Sequence, residues 1–152
     1  MSEIVISCSS IEETIALGQK IGKNLKGGEV IELISDLGGG KTTFVRGLAN
    51  GFGSADSVSS PSFTLSNMYR SKNEKHMHHF DFYRLSEAGI VGNELSEVVG
   101  DPDMVVVIEW GEIVHDILPG NRIIISIKSL DEEKRSFKVQ TEKDLEYAIK
   151  GI

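Results

Sequence analysis

The chain has 152 residues, with 16 Lys+Arg against 23 Asp+Glu and a formal net charge of −7. At 39% hydrophobic and 26% charged residues it reads as one globular domain, 1–152, with a core of its own, and not as a disordered chain. The acidic balance argues against a protein that grips a phosphate backbone by itself, and a lone cysteine, Cys8, excludes an internal disulfide framework.

The opening residues MSEIVIS lack the basic segment and apolar run of a secretion signal. No apolar stretch approaches the roughly 20 residues of a membrane span, so a cytoplasmic protein is expected. Ile4 to Ser7 reads as a short strand. Ser10 followed by Glu13 is a capping-box signature, behind which Ile15, Gly18, Ile21 and Leu25 recur at helical spacing until Gly27-Gly28. Glu29 to Ile34 is a short aliphatic run bounded by glycine, a buried strand. Helical periodicity resumes at Thr42 and passes through Phe44, Val45, Leu48 and Ala49 to Gly51 or Gly53. After a polar loop, Ser54 to Ser62, two strand-like runs follow, Phe63 to Tyr69 and His76 to Tyr83. A turn at Ser71 to Glu74 joins them as a hairpin.

Ser86 to Val99 reads as a helix that Gly89 and Gly92 weaken. Met104 to Trp110 is the most hydrophobic stretch, a central strand buried on both faces. A short helix at Ile113 to Leu118 is closed by Pro119-Gly120. Arg122 to Lys128 and Arg135 to Thr141 read as strands, and Thr141 to Lys150 as a closing helix. This alternation predicts a three-layer α/β fold with a mainly parallel sheet and helices on both faces, the two late strands forming an antiparallel extension.

Glycine is crowded in one place: Gly38, Gly39, Gly40, Gly47, Gly51 and Gly53 fall close together. The crowd begins in Ser35-Asp36-Leu37-Gly38-Gly39-Gly40-Lys41-Thr42, which follows a predicted strand and opens a predicted helix. That is the context a phosphate-binding P-loop requires, and the fold expected is that of a P-loop NTPase. Glycines let backbone N–H groups turn toward phosphate oxygens, and the helix N-terminus adds partial positive charge. In this reading Lys41 lies against the β/γ-phosphates, the Thr42 hydroxyl ligates Mg²⁺, and Thr43 touches the α-phosphate. Ser35 stands where the first glycine is usual.

Two carboxylates compete for the metal side. Glu109 ends the apolar strand, where an open α/β sheet has its crevice. Asp81 lies in HFDFYRL, on one strand face with His79 and Tyr83. The guanine signature Asn-Lys-x-Asp is absent, since Thr141-Glu142-Lys143-Asp144 does not match it, so ATP is the expected nucleotide. His76 and His78 share a face from which His79 points away, so the three do not converge on a transition metal. His79 reads as a hydrogen-bonding support for Asp81. Tyr83 and Arg84 suit a packed or surface role as well as a partner contact, and Cys8 reads as a small buried residue.

Taken in order, SDLGGGKTTFVRGL, VSSPSFTL, HFDFYRL and VIEWGE resemble the motifs of the TsaE (YjeE) family over about Ile4 to Lys138. These are small bacterial P-loop ATPases of tRNA threonylcarbamoyladenosine synthesis. The resemblance implies an ATPase that works with TsaB and TsaD, which install the threonylcarbamoyl group, its hydrolysis of ATP allowing repeated turnover of that complex. It places Gly38, Gly39, Gly40, Lys41, Thr42 and Thr43 in the phosphate loop. Lys41, Asp81 and Glu109 become the catalytic set, and Thr42 and Glu109 the Mg²⁺ ligands. Ser60, Pro61, Ser62 and Thr64 match a switch-like loop in which Ser62 replaces the usual threonine. Trp110 falls near the nucleotide, and Ser10 and Arg135 around the adenine.

With no evident arginine finger beyond Arg84, activity is expected to be weak until a partner completes the site. The acidic charge fits a monomer that acts through TsaB and TsaD and does not itself hold tRNA. Two rival readings are a small-molecule kinase, although no Arg-rich lid follows the P-loop, and a non-catalytic nucleotide-binding regulator.

Overall fold

A computed structural model describes residues 1–35, 40–59, 61, 65–87 and 89–152. In chain order these form β1 (Ser2–Cys8), α1 (Ile11–Asn24), β2 (Val30–Ile34), α2 (Lys41–Gly51), β3 (Ser66–Arg70), β4 (His76–Asp81), α3 (Gly89–Val98), β5 (Met104–Glu109), β6 (Ile123–Ser129) and β7 (Arg135–Thr141). Short 3₁₀ segments follow β3, β5 and β7. Among the described residues no helix is long and apolar enough to cross a membrane.

The strands join in one sheet, ordered β1-β7-β6-β2-β5-β4-β3. Its centre, β6-β2-β5-β4, is parallel, whereas β3 joins β4 antiparallel at one edge and β7 and β1 extend the other edge antiparallel. The two late strands pair antiparallel with each other, as expected; β6 also lies parallel beside β2, so the antiparallel extension beyond the parallel centre is β7 with β1. An all-aliphatic run, Ile123-Ile124-Ile125, suits β6 to the interior of a sheet.

Strand alternation divides the core into two layers. Ile31, Leu33, Val105, Val107, Ile123, Ile125 and Phe137 pack beneath α1 and α2 with Leu17, Ile21, Phe44 and Leu48. On the opposite face Val30, Phe80, Val106 and Ile108 meet Leu95 of α3 and Val114 and Leu118. β5 is therefore buried on both sides, as its composition predicts.

Helix α1 starts where the sequence places it, with Ser10 Oγ accepting the Glu13 N–H at 3.1 Å. Its contact with α2 is made by backbone on backbone. A Cβ on Gly18 would stand 2.5 Å from Phe44 O, one on Gly22 2.2 Å from Leu48 O, and one on Gly47 2.2 Å from Ile15 O. Gly47 and Gly51 therefore serve helix packing rather than the phosphate turn near which they cluster in sequence. The closing helix expected after β7 is present over Lys143–Ile149, in 3₁₀ form. Asn24 Nδ2 claims the carbonyls of Ala148 and Lys150, and the Lys150 N–H bonds three residues back to Tyr147.

Helix α3 is tied to the sheet by a polar contact, His78 Nε2 to Glu94 Oε1 at 3.1 Å, with the His78 ring stacked 4.2 Å from Phe80. Burial pushes the His78 imidazole below its ordinary 6.5, the Glu94 carboxylate opposing and His79 adding to the fall.

Two outcomes follow for stability. Gly47→Ala forces α1 and α2 apart and should cost about 2–3 kcal/mol in urea unfolding, against the gain that Ala gives an open helix. A lowered folded-state pKa means that the unfolded chain binds the His78 proton more readily. The contribution is intact above 6.5 and is lost as the pH falls from 6.5 through the lower folded value. His78→Gln should therefore flatten the fall in urea midpoint between about pH 7.5 and about pH 5.5.

Candidate active site

The parallel strands β2, β4 and β5 all end at one edge of the sheet, and α2 begins there. Gly40, its N-cap, has φ 90 and ψ 16, a left-handed conformation that glycine adopts without strain. The cap carries no side-chain hydrogen bond and the first turn has no acidic residue. The leading N–H groups of α2 are thus left for something other than the helix itself.

Lys41, the first residue of α2, is buried, with Nζ 3.7 Å from Glu109 Oε1 and 5.4 Å from the centre of the Trp110 ring. At 3.7 Å the ion pair is longer than a hydrogen bond, so the lysine is drawn toward the carboxylate without being locked to it. Asp81 and Glu109 stand side by side as register partners at the ends of β4 and β5, each 3% exposed. Asp81 and Glu109 thus bring two buried carboxylates to the end of the sheet where Lys41 also lies.

His79 is fully buried, and its Nε2 lies 2.5 Å from Glu109 Oε2. A carboxylate oxygen can only accept, so Nε2 carries the proton. Nδ1 has no hydrogen-bond partner among the described residues. This corrects the expectation that His79 supports Asp81: parallel register sets His79 beside Val107, from which its ring reaches along β5 to Glu109.

A second correction concerns Tyr83. Its N–H donates to Asp81 Oδ1 at 2.9 Å, closing a turn that ends β4 at Asp81, so Tyr83 does not continue the strand face. Its ring packs instead against Trp110, centroids 4.9 Å apart. Trp110 itself holds φ 56 and ψ 50, a left-handed backbone rare for a bulky residue. That turn out of β5 is what sets the indole over Lys41.

The remaining predicted residues divide into three groups. Thr42 and Thr43 lie in the first turn of α2. Arg135 is brought to the same place, since a Cβ on Gly40 would stand 3.0 Å from its Nε. Its guanidinium donates to the carbonyls of Asp131, Glu132 and Lys134 at 2.7, 3.1 and 2.9 Å. Ile11, Thr14, Gly40, Thr43 and Arg135 line one small cleft, and Ser10 caps the helix that opens beside it. Gly38, Gly39, Ser60, Ser62 and Thr64 lie outside the described residues. Cys8 belongs to the core, where burial pushes its thiol pKa up.

Asp81 and Glu109 offer carboxylate oxygens at this end of the sheet and Thr42 a hydroxyl in the first turn of α2, while no group of three or more His, Cys, Asp or Glu suited to a metal occurs among the described residues. Oxygen is the ligand type that Mg²⁺ takes, one or two protein carboxylates sufficing beside substrate phosphates.

A mainly parallel sheet with helices on both faces, and a lysine at a glycine-capped helix start beside two adjacent carboxylate-tipped strands, is a P-loop NTPase fold. The model of the family described as "Threonylcarbamoyl adenosine biosynthesis protein TsaE" matches residues 8–137. Proteins named "tRNA threonylcarbamoyladenosine biosynthesis protein TsaE" resemble the chain closely. The one from Treponema pallidum is 36% identical, covering 86% of this chain and 95% of that one. The one from Aquifex aeolicus is also 36% identical, covering 91% and 96%. The crystal structure of Bacillus subtilis YdiB superposes with a TM-score of 0.77 at 27% identity, over 97% of this chain and 92% of that one. The chain belongs to the TsaE family.

Removing the His79 donor leaves Glu109, among the described residues, buried with the 3.7 Å ion pair to Lys41 as its remaining charge partner. His79→Ala should lower unfolding free energy by about 2 kcal/mol or more, and His79→Gln, which keeps an N–H, by less. Equal urea midpoints for His79→Ala and the wild type would contradict this role.

Proposed function

We propose that the protein is a Mg²⁺-dependent ATPase that supports tRNA threonylcarbamoyladenosine biosynthesis together with TsaB and TsaD. The observation that carries the reading is the meeting of Lys41, Asp81 and Glu109 at the glycine-capped start of α2, where no side chain caps the helix. Family membership adds the pathway, and the ordered motifs add the partners.

In this reading the N–H groups at the start of α2 and the Lys41 ammonium receive the β- and γ-phosphates of ATP. Lys41 then exchanges its loose contact with Glu109 for phosphate oxygen. Thr42 and Glu109 would hold Mg²⁺, which supplies neutralisation of phosphate charge when bound. Asp81, one ladder step from Glu109, is the carboxylate assigned to the attacking water. His79 keeps the Glu109 carboxylate in one orientation through Oε2, leaving Oε1 turned toward Lys41. Trp110 shields Lys41 from water, which strengthens its field on the phosphates. Arg135, at Gly40 and near the α1 N-terminus, is placed for the nucleoside end. The products are ADP and phosphate, and release of both resets the site.

Phosphate release with ATP and Mg²⁺ should be slow for the isolated protein and rise on addition of the TsaB–TsaD complex. Lys41→Ala and Glu109→Gln should each lower the stimulated rate by about 100-fold or more. Full stimulated turnover in either variant would refute the site assignment. Tight ATP binding with no phosphate release in the presence of the complex would favour a non-catalytic regulator instead.

A further inference from the structure

The two faces of the sheet are unequally covered. α1 and α2 lie across one face, while on the other face α3 and the segment through Leu118 pack only on β2, β4 and β5. No described helix packs on that second face of β6, β7 and β1. Register sets a row of side chains across it: Val5 of β1 beside Lys138 of β7, Lys138 beside Ser126 of β6, and Ser126 beside Ile34 of β2. Lys128 and Ser136 form the next row on the same face.

The rows floor a groove of about 540 Å³ whose wall at the phosphate end is Trp110. Val5 and Ile34, aliphatic residues at opposite ends of one row, are 65% and 50% exposed. Lys128 and Lys138 are exposed, and neither has an ion-pair partner among the described residues. A groove with apolar ends and two uncommitted cations, on a chain of net charge −7, is complementary to one kind of occupant.

We propose that this open face docks an acidic, aliphatic segment of the partner assembly, with carboxylates on Lys128 and Lys138 and an apolar side chain between Val5 and Ile34. The proposal rests on the functional reading above and names the surface through which the partner acts. A second copy of the chain fits less well, because a two-fold contact through this face would bring like charges together. Nucleic acid fits less well too, since two lysines on an acidic chain neutralise few phosphates. The same indole that walls the groove lies 5.4 Å from Lys41 Nζ. A segment seated there therefore presses on a residue of the phosphate site without entering that site.

The test uses the full chain, the TsaB–TsaD complex and the double variant Lys128→Glu/Lys138→Glu, with Lys20→Glu/Lys23→Glu on α1 as a charge-matched control. The groove variant should bind the complex about tenfold more weakly or worse and lose its stimulation of phosphate release. Its thermal midpoint and its ATP affinity in isolation should match the wild type, and the control should bind as the wild type does. Val5→Asp should weaken binding through the apolar end of the same groove. Equal binding of the complex by wild type and both groove variants overturns the proposal while leaving the ATPase reading standing. So does a groove variant that loses affinity for tRNA alone. A wild-type chain that does not bind the complex at all overturns the partnership, and this surface assignment with it.

Discussion

Burying a carboxylate is expensive unless its charge is met, and Glu109, at 3% exposure, is met from two directions. His79 holds Oε2 and Lys41 approaches Oε1. Each contact depends on a different part of the fold. His79 reaches Glu109 only because β4 and β5 run parallel in a register that sets Asp81 opposite Glu109. Lys41 reaches it only because α2 starts at the same edge of the sheet on which β5 ends. A slip of one residue in β4 would turn His79 and Asp81 to the α3 face and bring His78 and Phe80 into their place. The site and the sheet register are therefore one constraint. The two contacts also differ in tightness. The short bond fixes the carboxylate, whereas the ion pair to Lys41, at 3.7 Å, is longer than a hydrogen bond.

The position of Lys41 is set from behind by the packing of α1 on α2. With Gly18, Gly22, Gly47 and Gly51 at the crossing, the helices meet at backbone contact, and α2 has little room to slide. The same close approach brings the start of α1, where Ser10 caps, near Gly40 and Thr43. Arg135 enters from the turn after β6, its guanidinium fixed by three carbonyls. That turn also reaches α1, where the Ile11 N–H donates to Glu133 Oε1. Residues far apart in sequence thus form one wall because glycines at the crossing of two helices allow their close approach.

Most strands and helices were legible because apolar periodicity and glycine punctuation are local signals. β7 matches its predicted span, Arg135 to Thr141, and the Ser10 cap lies where Ser10 and Glu13 place it. The places of Lys41 at a helix start and of Asp81 and Glu109 at strand ends were legible as well. What escaped was pairing. Nothing local shows that β6, paired antiparallel with β7 as expected, also lies parallel beside β2, or that β1 closes the far edge. Nor does alternation alone say whether His79 serves Asp81, its neighbour in sequence, or Glu109 on the next strand. Tyr83 was misplaced because Asp81 ends its own strand by accepting the Tyr83 N–H. A short polar side chain two residues before could have signalled that turn.

Glycine density and net charge are both sums that conceal where their parts act. The glycines between Gly38 and Gly53 look like one motif, yet Gly40 gives a left-handed helix cap while Gly47 and Gly51 admit another helix. Substitution at the first demands a strained backbone, and substitution at the others demands that two helices separate. Charge divides in the same way. A total of −7 includes two buried carboxylates beside Lys41 and two exposed lysines on an open sheet face. Trp110 stands between them, its backbone held left-handed so that one part of the indole lies over Lys41 and another walls the groove. An ordinary extended residue there would carry the strand past both. The strain, of order 1 kcal/mol, is what lets a single side chain border both surfaces.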